Sequence, residues 1–246
     1  MLLAIPVFNE ESNLPLFFES LFPKLPSKIS QVLFINDGSS DHSAQLLESI
    51  AEKNSIVSIV HHTENQGYGQ AMITAMNETK NRNHRYLITM DCDRQHRPED
   101  IQRFIDFDLN IDVVSGSRYL PTSRSCGQPP TDRVEVNTRI TKLLNKKYEW
   151  QQPQKWQLTD SFCGFKRYNM QNIDSSRFSE KGYAFPMEFW AYAAAAQLSI
   201  QELAVSRIYT TDSRSFGEDL DRTRKRYQYY LKVFYQSQKK FQLLKK

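Results

Sequence analysis

The 246-residue sequence has no apolar run long enough to cross a membrane. Its most apolar later stretch, FWAYAAAAQLSI, falls short of the roughly 18 apolar residues that a transmembrane helix requires. The first residues, MLLAIPVFNEE, carry no positively charged segment and reach Asn9 and Glu10 too early for a signal peptide. We therefore expect no transmembrane segment.

Cysteine is also scarce. Cys92, Cys126 and Cys163 form no C-x-x-C pair and cannot all be bridged to one another, which indicates reduced thiols and a cytoplasmic location. No G-x-G-x-x-G motif follows the first strand-like run, so the sequence argues against a dinucleotide-dependent dehydrogenase.

The formal net charge of +4 is unevenly distributed. Residues 222–246 contain nine Lys or Arg and no acidic residue, whereas the preceding 221 residues contain 23 basic and 28 acidic residues, a net charge of −5. The sequence thus predicts a mildly acidic body followed by a strongly basic terminal segment.

Short runs rich in β-branched residues alternate with segments of helical spacing. The strand-like runs are LLAIPVF, VLFIND, SIVSIVHH, YLITMD and DVVSGS, and helical segments such as DHSAQLLESIAEKN and GQAMITAMNETKN lie between them. This order predicts an α/β fold with a mostly parallel sheet and helices on both faces.

Polar residues stand where these strands end. In an open parallel sheet, ligands bind outside the carboxyl ends of the strands. We therefore expect one crevice that collects Asn9, Asp37, Asp91, Asp93 and Arg118.

The pattern changes after Arg118. The polar, proline-containing stretch YLPTSRSCGQPPTD predicts a mobile loop at the mouth of the crevice. A long helix over about 131–150, a strand in SFCGFKRY, a helix in PMEFWAYAAAAQL and a strand in IQELAVSRI follow. We expect one catalytic domain over 1–219, with halves 1–118 and 119–219, and a basic amphipathic helix over 220–246.

Asp91 and Asp93 flank one residue at the end of a strand. Burying two unpaired carboxylates is costly, so a solvated turn or a bound cation is expected there. Oxygen ligands favour Mg²⁺ or Mn²⁺, which complete their shells with water and substrate phosphate, and Gln95 adds a further oxygen. The position of the pair at the end of a central strand favours the metal.

Five segments, in order and spacing, resemble the nucleotide-sugar half of family 2 glycosyltransferases with the GT-A fold. They are IPVFNEESNL, VLFINDGSSDHS, NQGYGQAM, MDCDRQHRPEDI and VVSGSRYL. The fourth matches the D-x-D-x-Q-H-x-P-E signature of dolichol-phosphate and polyprenyl-phosphate sugar synthases. DSFCGFKRY and GYAFPMEF are similar to acceptor-side motifs of that group, so the resemblance covers roughly residues 1–217.

The resemblance implies a nucleotide-sugar site at the strand ends. It assigns the floor of the nucleotide pocket and the contacts to base and ribose to Pro6, Asn9, Glu10 and Asp37. Gly67 and Gly69 would let the chain pass close to the ribose. UDP- and GDP-sugars both stay open as donors, because Asn36 stands where many relatives have an aspartate.

The resemblance also implies a metal site and catalytic groups. Asp91, Asp93 and Gln95 would bind Mg²⁺ or Mn²⁺ and the donor diphosphate, and Arg118 would face phosphate oxygens. Asp160 stands where hydroxyl-accepting relatives place a general base. A phosphate acceptor is already ionised near pH 7, in which case Asp160 would orient other groups.

Arginines after the first half are candidates for the acceptor's phosphate. Arg133 and Arg214 are the main ones, and Arg207 and Arg222 are further candidates. Each could instead be a surface ion-pair partner.

The terminal segment places Tyr227, Tyr230, Leu231, Phe234 and Phe241 near one helical face, with basic residues over the rest. This pattern is typical of a helix that lies on an anionic membrane surface. It is equally typical of a terminal helix that packs its aromatic stripe on the body or on another subunit.

The leading hypothesis is a metal-dependent, inverting transferase that moves a hexose from a nucleotide sugar to a polyprenyl phosphate at the cytoplasmic face of the membrane. A hydroxyl acceptor, such as a surface glycan or a small molecule, is the alternative. A non-catalytic module that binds polyanions or partners through the basic tail is a third hypothesis, and nucleic acid is not the expected partner because such binding would not require Asp91 or Asp93.

Overall fold

The computed structural model describes residues 1–148, 157–209 and 220–242, which form an α/β fold around a seven-stranded sheet. The sheet contains β1 (Leu2–Val7), β2 (Gln31–Asn36), β3 (Val57–His61), β4 (Tyr86–Thr89), β5 (Val113–Ser117), β7 (Lys166–Asn169) and β8 (Ile200–Ala204). A separate two-stranded ladder joins β6 (Ser125–Cys126) to β9 (Arg207–Ile208). The helices are α1 (Leu14–Leu21), α2 (Ser43–Lys53), α3 (Tyr68–Asn81), α4 (Asp100–Asp106), α5 (Thr131–Tyr148), α6 (Phe185–Ala195) and α7 (Thr223–Gln242).

The strand order across the sheet is β3-β2-β1-β4-β7-β5-β8, and all neighbours except those of β7 are parallel. Strand β7 runs antiparallel between β4 and β5, with Tyr168 opposite Leu87 on one side and Val113 on the other. The predicted mostly parallel sheet is confirmed. The reversed direction of β7 was not predicted, because a period of two residues carries no information on strand direction.

The two faces of the sheet bury separate clusters of apolar side chains. In β1, Leu2 and Ala4 point to the cluster under α3, α5, α6 and α7, whereas Leu3 and Ile5 point to the cluster under α1, α2 and α4. This alternation confirms the prediction of helices on both faces, since successive residues of a strand face opposite sides.

Helix α7 turns its aromatic side into the first of these clusters. Tyr230, Phe234 and Phe241 are buried, and the Phe234 ring meets Tyr148 edge to face with the centroids 6.0 Å apart. The structure therefore shows the second of the two arrangements expected for the terminal segment, packing on the body. The aromatic side is not available to lie along lipid headgroups, because α5 and α6 cover it.

The loop after β5 is tied down more firmly than expected. Strand β6 lies within it and pairs with β9, and the backbone N–H of Tyr209 donates to the carbonyl of Cys126 at 2.8 Å. The single strand predicted in IQELAVSRI is divided into β8 and β9. Helix α5 is described as far as Tyr148, and the end predicted near residue 150 lies outside the described residues. No helix within the described residues is long and apolar enough to span a bilayer.

Candidate active site

A cleft of about 860 Å³ opens at the carboxyl ends of β1, β2, β4 and β5, and residues of both halves of the chain line it. Most of the predicted site residues meet there: Pro6, Asn9, Glu10, Asp37, Gly67, Asp91, Asp93, Gln95, Arg118 and Arg133. Gly69 and Asp160 are buried and do not line the cleft. Arg214 lies outside the described residues.

The segment after β1 is fastened to the loop that precedes α2. Asn9 adopts a φ of 53°, a left-handed conformation that asparagine tolerates better than most residues. Its Oδ1 accepts a hydrogen bond from the backbone N–H of Ser40 at 2.8 Å, and the N–H of Glu10 donates to Ser43 Oγ at 2.8 Å. These bonds hold Asn9 and Glu10 at the cleft floor, where the resemblance places the nucleotide.

Asp37 is buried at the end of β2, and its carboxylate is occupied by protein groups. It accepts hydrogen bonds from the backbone N–H groups of Gln66 (2.9 Å) and Gly67 (2.8 Å), and His62 Nδ1 lies 2.6 Å from its Oδ1. Asp37 thus fixes the loop before α3 against the cleft. A contact with the base stays a prediction.

Gly67 and Gly69 permit a close approach, but the chain that approaches them belongs to the protein. A Cβ at Gly67 would lie 2.5 Å from the carbonyl oxygen of Lys181, and a Cβ at Gly69 would collide with that of Glu180. Gly67 also has a φ of 96°, which disfavours other residues. In the structure, both glycines therefore make room for residues 180–182 rather than for a ribose.

Residues 180–183 carry an aromatic wall of the cleft that the sequence reasoning missed. The Tyr183 ring stacks on Tyr68 with the centroids 6.2 Å apart and the planes 12° from parallel. Glu180 holds this segment, because its carboxylate accepts hydrogen bonds from the Gly182 N–H (2.8 Å) and from the hydroxyl of Tyr229 on α7. Both stacked tyrosines fall within the motifs quoted above, so motif position could have identified them.

The paired carboxylates follow β4. A Cβ at Gly164 would lie 2.5 Å from Asp91 Oδ2, so any residue other than glycine there would clash with the Asp91 carboxylate. Asp93 Oδ1 accepts a hydrogen bond from the Gln95 N–H at 3.0 Å, and Arg94 between them has a φ of 60°, which turns the chain sharply after β4.

These groups fit a hard divalent cation. Two carboxylates and an amide oxygen are ligands of the kind that Mg²⁺ and Mn²⁺ prefer. The described residues contain no cluster of three or more His, Cys, Asp or Glu side chains arranged to hold a metal. The protein therefore offers part of a coordination shell, which suits a metal whose remaining ligands come from water and a diphosphate.

A buried histidine lies behind Asp91. His96 Nδ1 is 4.0 Å from Asp91 Oδ2, and His96 Nε2 is 3.8 Å from Cys163 Sγ. Burial alone would lower the pKa of His96, but Cys163 and the nearby carboxylates raise it to about 9. A protonated imidazole is compatible with the negative charge that Asp91 and Asp93 concentrate here.

Arg118 and Asp160 form a two-pronged ion pair in the wall of the cleft. Arg118 Nε donates to Asp160 Oδ2 at 2.6 Å and its Nη2 donates to Oδ1 at 3.0 Å. Asp160 is fully buried and also accepts from the Phe162 N–H at 3.2 Å. Burial alone would raise the pKa of Asp160, but the guanidinium of Arg118 brings it below its ordinary value. Arg118 therefore binds both carboxylate oxygens of Asp160, and the part of Asp160 in the reaction stays a prediction.

A further, cationic part of the cleft wall is shared between α5 and α7. Arg133 of α5 lines it together with Arg226 and Tyr230 of α7. The guanidinium of Arg226 is ion-paired with Asp132 and donates to the Leu220 carbonyl at 3.0 Å. Arg226 carried no signal in the sequence, because it is one of several basic residues in a basic segment.

The two further arginine candidates lie elsewhere. Arg207 donates to Ser125 Oγ at 2.9 Å and stacks over the Tyr119 ring, and Arg222 is exposed just before α7.

Comparison with known proteins defines the class. Residues 3–173 match the sequence model described as Glycosyl transferase family 2, and the chain belongs to this family. It is a nucleotide-sugar-dependent glycosyltransferase, as the resemblance implied.

Two characterised relatives are similar over most of the chain. The undecaprenyl-phosphate mannosyltransferase of Micrococcus luteus is 27% identical over 226 residues, covering 89% of this chain and 86% of the relative. The polyprenol monophosphomannose synthase of Mycolicibacterium smegmatis is 28% identical over 210 residues, covering 83% and 76%.

A solved structure confirms the GT-A fold. Glucosyl-3-phosphoglycerate synthase from Mycobacterium tuberculosis, crystallised with Mn²⁺, UDP and glucosyl-3-phosphoglycerate, superposes with a TM-score of 0.69 at 13% sequence identity. The match covers 96% of this chain and 78% of that one.

Proposed function

We propose that this glycosyltransferase moves a hexose from a UDP- or GDP-sugar to a polyprenyl phosphate at the inner face of the cytoplasmic membrane. The relatives from Micrococcus luteus and Mycolicibacterium smegmatis are named for sugar transfer to such lipids, which supports this acceptor class. The observation that carries the proposal is the buried ion pair between Arg118 and Asp160. With Asp160 engaged in this way, the site favours an acceptor that is already ionised, and a phosphate is ionised near pH 7.

The donor end of the cleft fits a metal-bound diphosphate. Asp91, Asp93 and Gln95 would hold Mg²⁺ or Mn²⁺, and the bound cation would supply positive charge to the leaving diphosphate. Glucosyl-3-phosphoglycerate synthase has been crystallised with UDP and either of these metals, and the same fold here makes both suitable candidates.

The reaction is a single displacement at the anomeric carbon. A phosphate oxygen of the acceptor forms the new bond from the face opposite the diphosphate, the bond to the diphosphate breaks, and its electron pair leaves with it. The configuration is therefore inverted. Because the transition state resembles an oxocarbenium ion, the residues act mainly by position and charge. Arg118 is held in one orientation by Asp160, and Arg133 attracts the acceptor from the part of the wall that α5 and α7 form.

The test is a transfer assay with a panel of UDP- and GDP-sugars, Mg²⁺ or Mn²⁺, and polyprenyl phosphate in detergent. Labelled sugar should enter the organic phase, and a chelator should abolish the transfer. Asp93→Asn should lower turnover by about two orders of magnitude or more. Asp106→Asn, on the exposed side of α4, is the matched control and should retain activity.

Two results would contradict the proposal. Turnover that resists a chelator would contradict the proposed metal dependence. Transfer confined to water-soluble hydroxyl acceptors would contradict the proposed lipid-phosphate acceptor and support the alternative one.

A further inference from the structure

Helices α5 and α7 pack against each other through side chains. Contacts between them include the ion pair between Asp132 and Arg226, the Arg139 guanidinium over the Tyr227 ring at 4.9 Å, and the Tyr148 and Phe234 rings. From Asp132–Arg226 to Tyr148–Phe234 the contacts advance 16 residues along α5 and eight along α7, so the helices cross while they run in the same general direction. Because the two helices touch and bury their inner sides in one cluster, their exposed sides are neighbouring parts of one protein surface.

This surface, here called the basic face, is strongly cationic. Helix α7 contains no acidic residue, and the acidic residues of α5 are Asp132 and Glu135, which are paired with Arg226 and Arg139. The exposed cations of the two helices are Arg139, Lys142, Lys146, Lys147, Arg224, Lys225, Lys232, Lys239 and Lys240, the last of which is ion-paired with Glu188.

The basic face adjoins the acceptor side of the cleft. Arg133 and Asn137 of α5 and Arg226 and Tyr230 of α7 line the cleft, so the helices that carry the basic face also form the cleft wall. A partner that binds the basic face therefore lies next to the part of the cleft wall that α5 and α7 form.

We propose that the basic face docks the enzyme on an anionic lipid leaflet and thereby presents the acceptor-side wall to lipid phosphates. This rests on the proposed function, because a polyprenyl phosphate is anchored in a bilayer. The contact is electrostatic and does not require aromatic insertion, since Tyr230, Phe234 and Phe241 are already buried. A single-stranded nucleic acid is a poorer occupant, because Tyr230, Phe234 and Phe241 are buried and Tyr235 is the one exposed aromatic ring of α7 that could stack on a base.

The size of the effect follows from the number of cations. Each Lys or Arg near an anionic leaflet strengthens binding by about fivefold at physiological salt, and screening removes most of this at high salt. Two neutralised cations should therefore weaken binding about 25-fold.

The experiment is co-sedimentation of the full chain with vesicles of phosphatidylcholine alone or with 30% phosphatidylglycerol. Wild-type protein should bind the anionic vesicles at low salt, dissociate from them at high salt, and not bind the neutral vesicles. Lys142→Gln with Lys146→Gln, and separately Lys232→Gln with Lys239→Gln, should each weaken binding about 25-fold. Lys28→Gln with Lys53→Gln removes the same charge from exposed positions elsewhere and should change binding less than twofold.

Several results would overturn the inference. The first two are equal binding of the wild type to both vesicle types, and a loss of binding in the control variant as large as in the α5 and α7 variants. The others are weakened binding of the α7 variant but not of the α5 variant, and tighter binding of the wild type to single-stranded RNA than to anionic vesicles.

The activity measurement separates this inference from the proposed function. All three double variants should transfer sugar normally to polyprenyl phosphate in detergent, and the α5 and α7 variants should transfer it slowly to the same acceptor in anionic vesicles. Vesicle binding without any transfer to polyprenyl phosphate would refute the proposed acceptor and leave the docking intact. Normal transfer in detergent without vesicle binding would refute the docking alone.

Discussion

Replacing Phe234 by alanine tests whether α7 is part of the folded core. Phe234 is fully buried, and it packs in the cluster shared by α5, α6 and α7 with its ring edge to face with Tyr148. Truncating a buried phenylalanine to alanine typically costs about 3–5 kcal/mol, from lost apolar burial plus the cavity left behind. Since whole domains are stable by only about 5–15 kcal/mol, Phe234→Ala should remove a large part of the unfolding free energy.

The next residue provides the control. Tyr235 is 48% exposed, so Tyr235→Ala makes a similar change of helix propensity while leaving most of the core intact. Equilibrium unfolding in urea, followed by far-ultraviolet circular dichroism, should give a loss of about 3–5 kcal/mol for Phe234→Ala and under about 1 kcal/mol for Tyr235→Ala. Equal stability of Phe234→Ala and wild type would mean that α7 does not pack as described.

Two further changes test the site itself. Asp160→Asn leaves Arg118 without its charged partner and should lower the unfolding free energy by about 3–5 kcal/mol at neutral pH, whereas exposed Glu135→Gln should change it little. Because the pKa of Asp160 is lowered on folding, this contribution is complete above the ordinary carboxyl range and is lost as the pH falls through the lowered value. Urea titrations at several pH values should therefore show the two proteins converging only in acid, and convergence near neutrality would contradict the assignment. Gly164→Ala should crowd Asp91 and raise the half-saturating Mg²⁺ or Mn²⁺ concentration in the transfer assay about 10- to 100-fold, and an unchanged metal dependence would show that Asp91 is not a ligand.

The convergence of the site residues was predictable from the sequence. Asn9, Asp37, Asp91 and Arg118 each follow a strand-like run, and parallel strands bring their carboxyl ends to one edge of a sheet. Local pattern and sheet geometry are sufficient for that step. Asp160 was less predictable in its role, because only the structure shows that Arg118 occupies both of its oxygens.

The environment of α7 could not be read from its sequence. A stripe of Tyr230, Phe234 and Phe241 beside cations satisfies the pattern of both a membrane-surface helix and a packed terminal helix. What decides between them is the apolar surface that α5 and α6 leave open, and those helices are distant in sequence. The place of Arg226 in the cleft wall was unpredictable for the same reason, because it depends on the packing of α7 and not on any local motif.

The antiparallel strand β7 has a consequence for how the chain folds during its synthesis. Strands β1, β2 and β3 can pair as soon as they are made, but β5 joins the sheet through β7 and β8, which are both made later. Residues 118–165 must be synthesised before β7 begins, which takes roughly 2–10 s at ~5–20 residues per second. During that interval the open edge of β4 and the whole of β5 are exposed to unwanted pairing. Asp91 and Arg118, which follow those two strands, therefore come together only after most of the acceptor half has been made. A chain that stalls earlier has no assembled site and exposes strand edges that chaperones can bind.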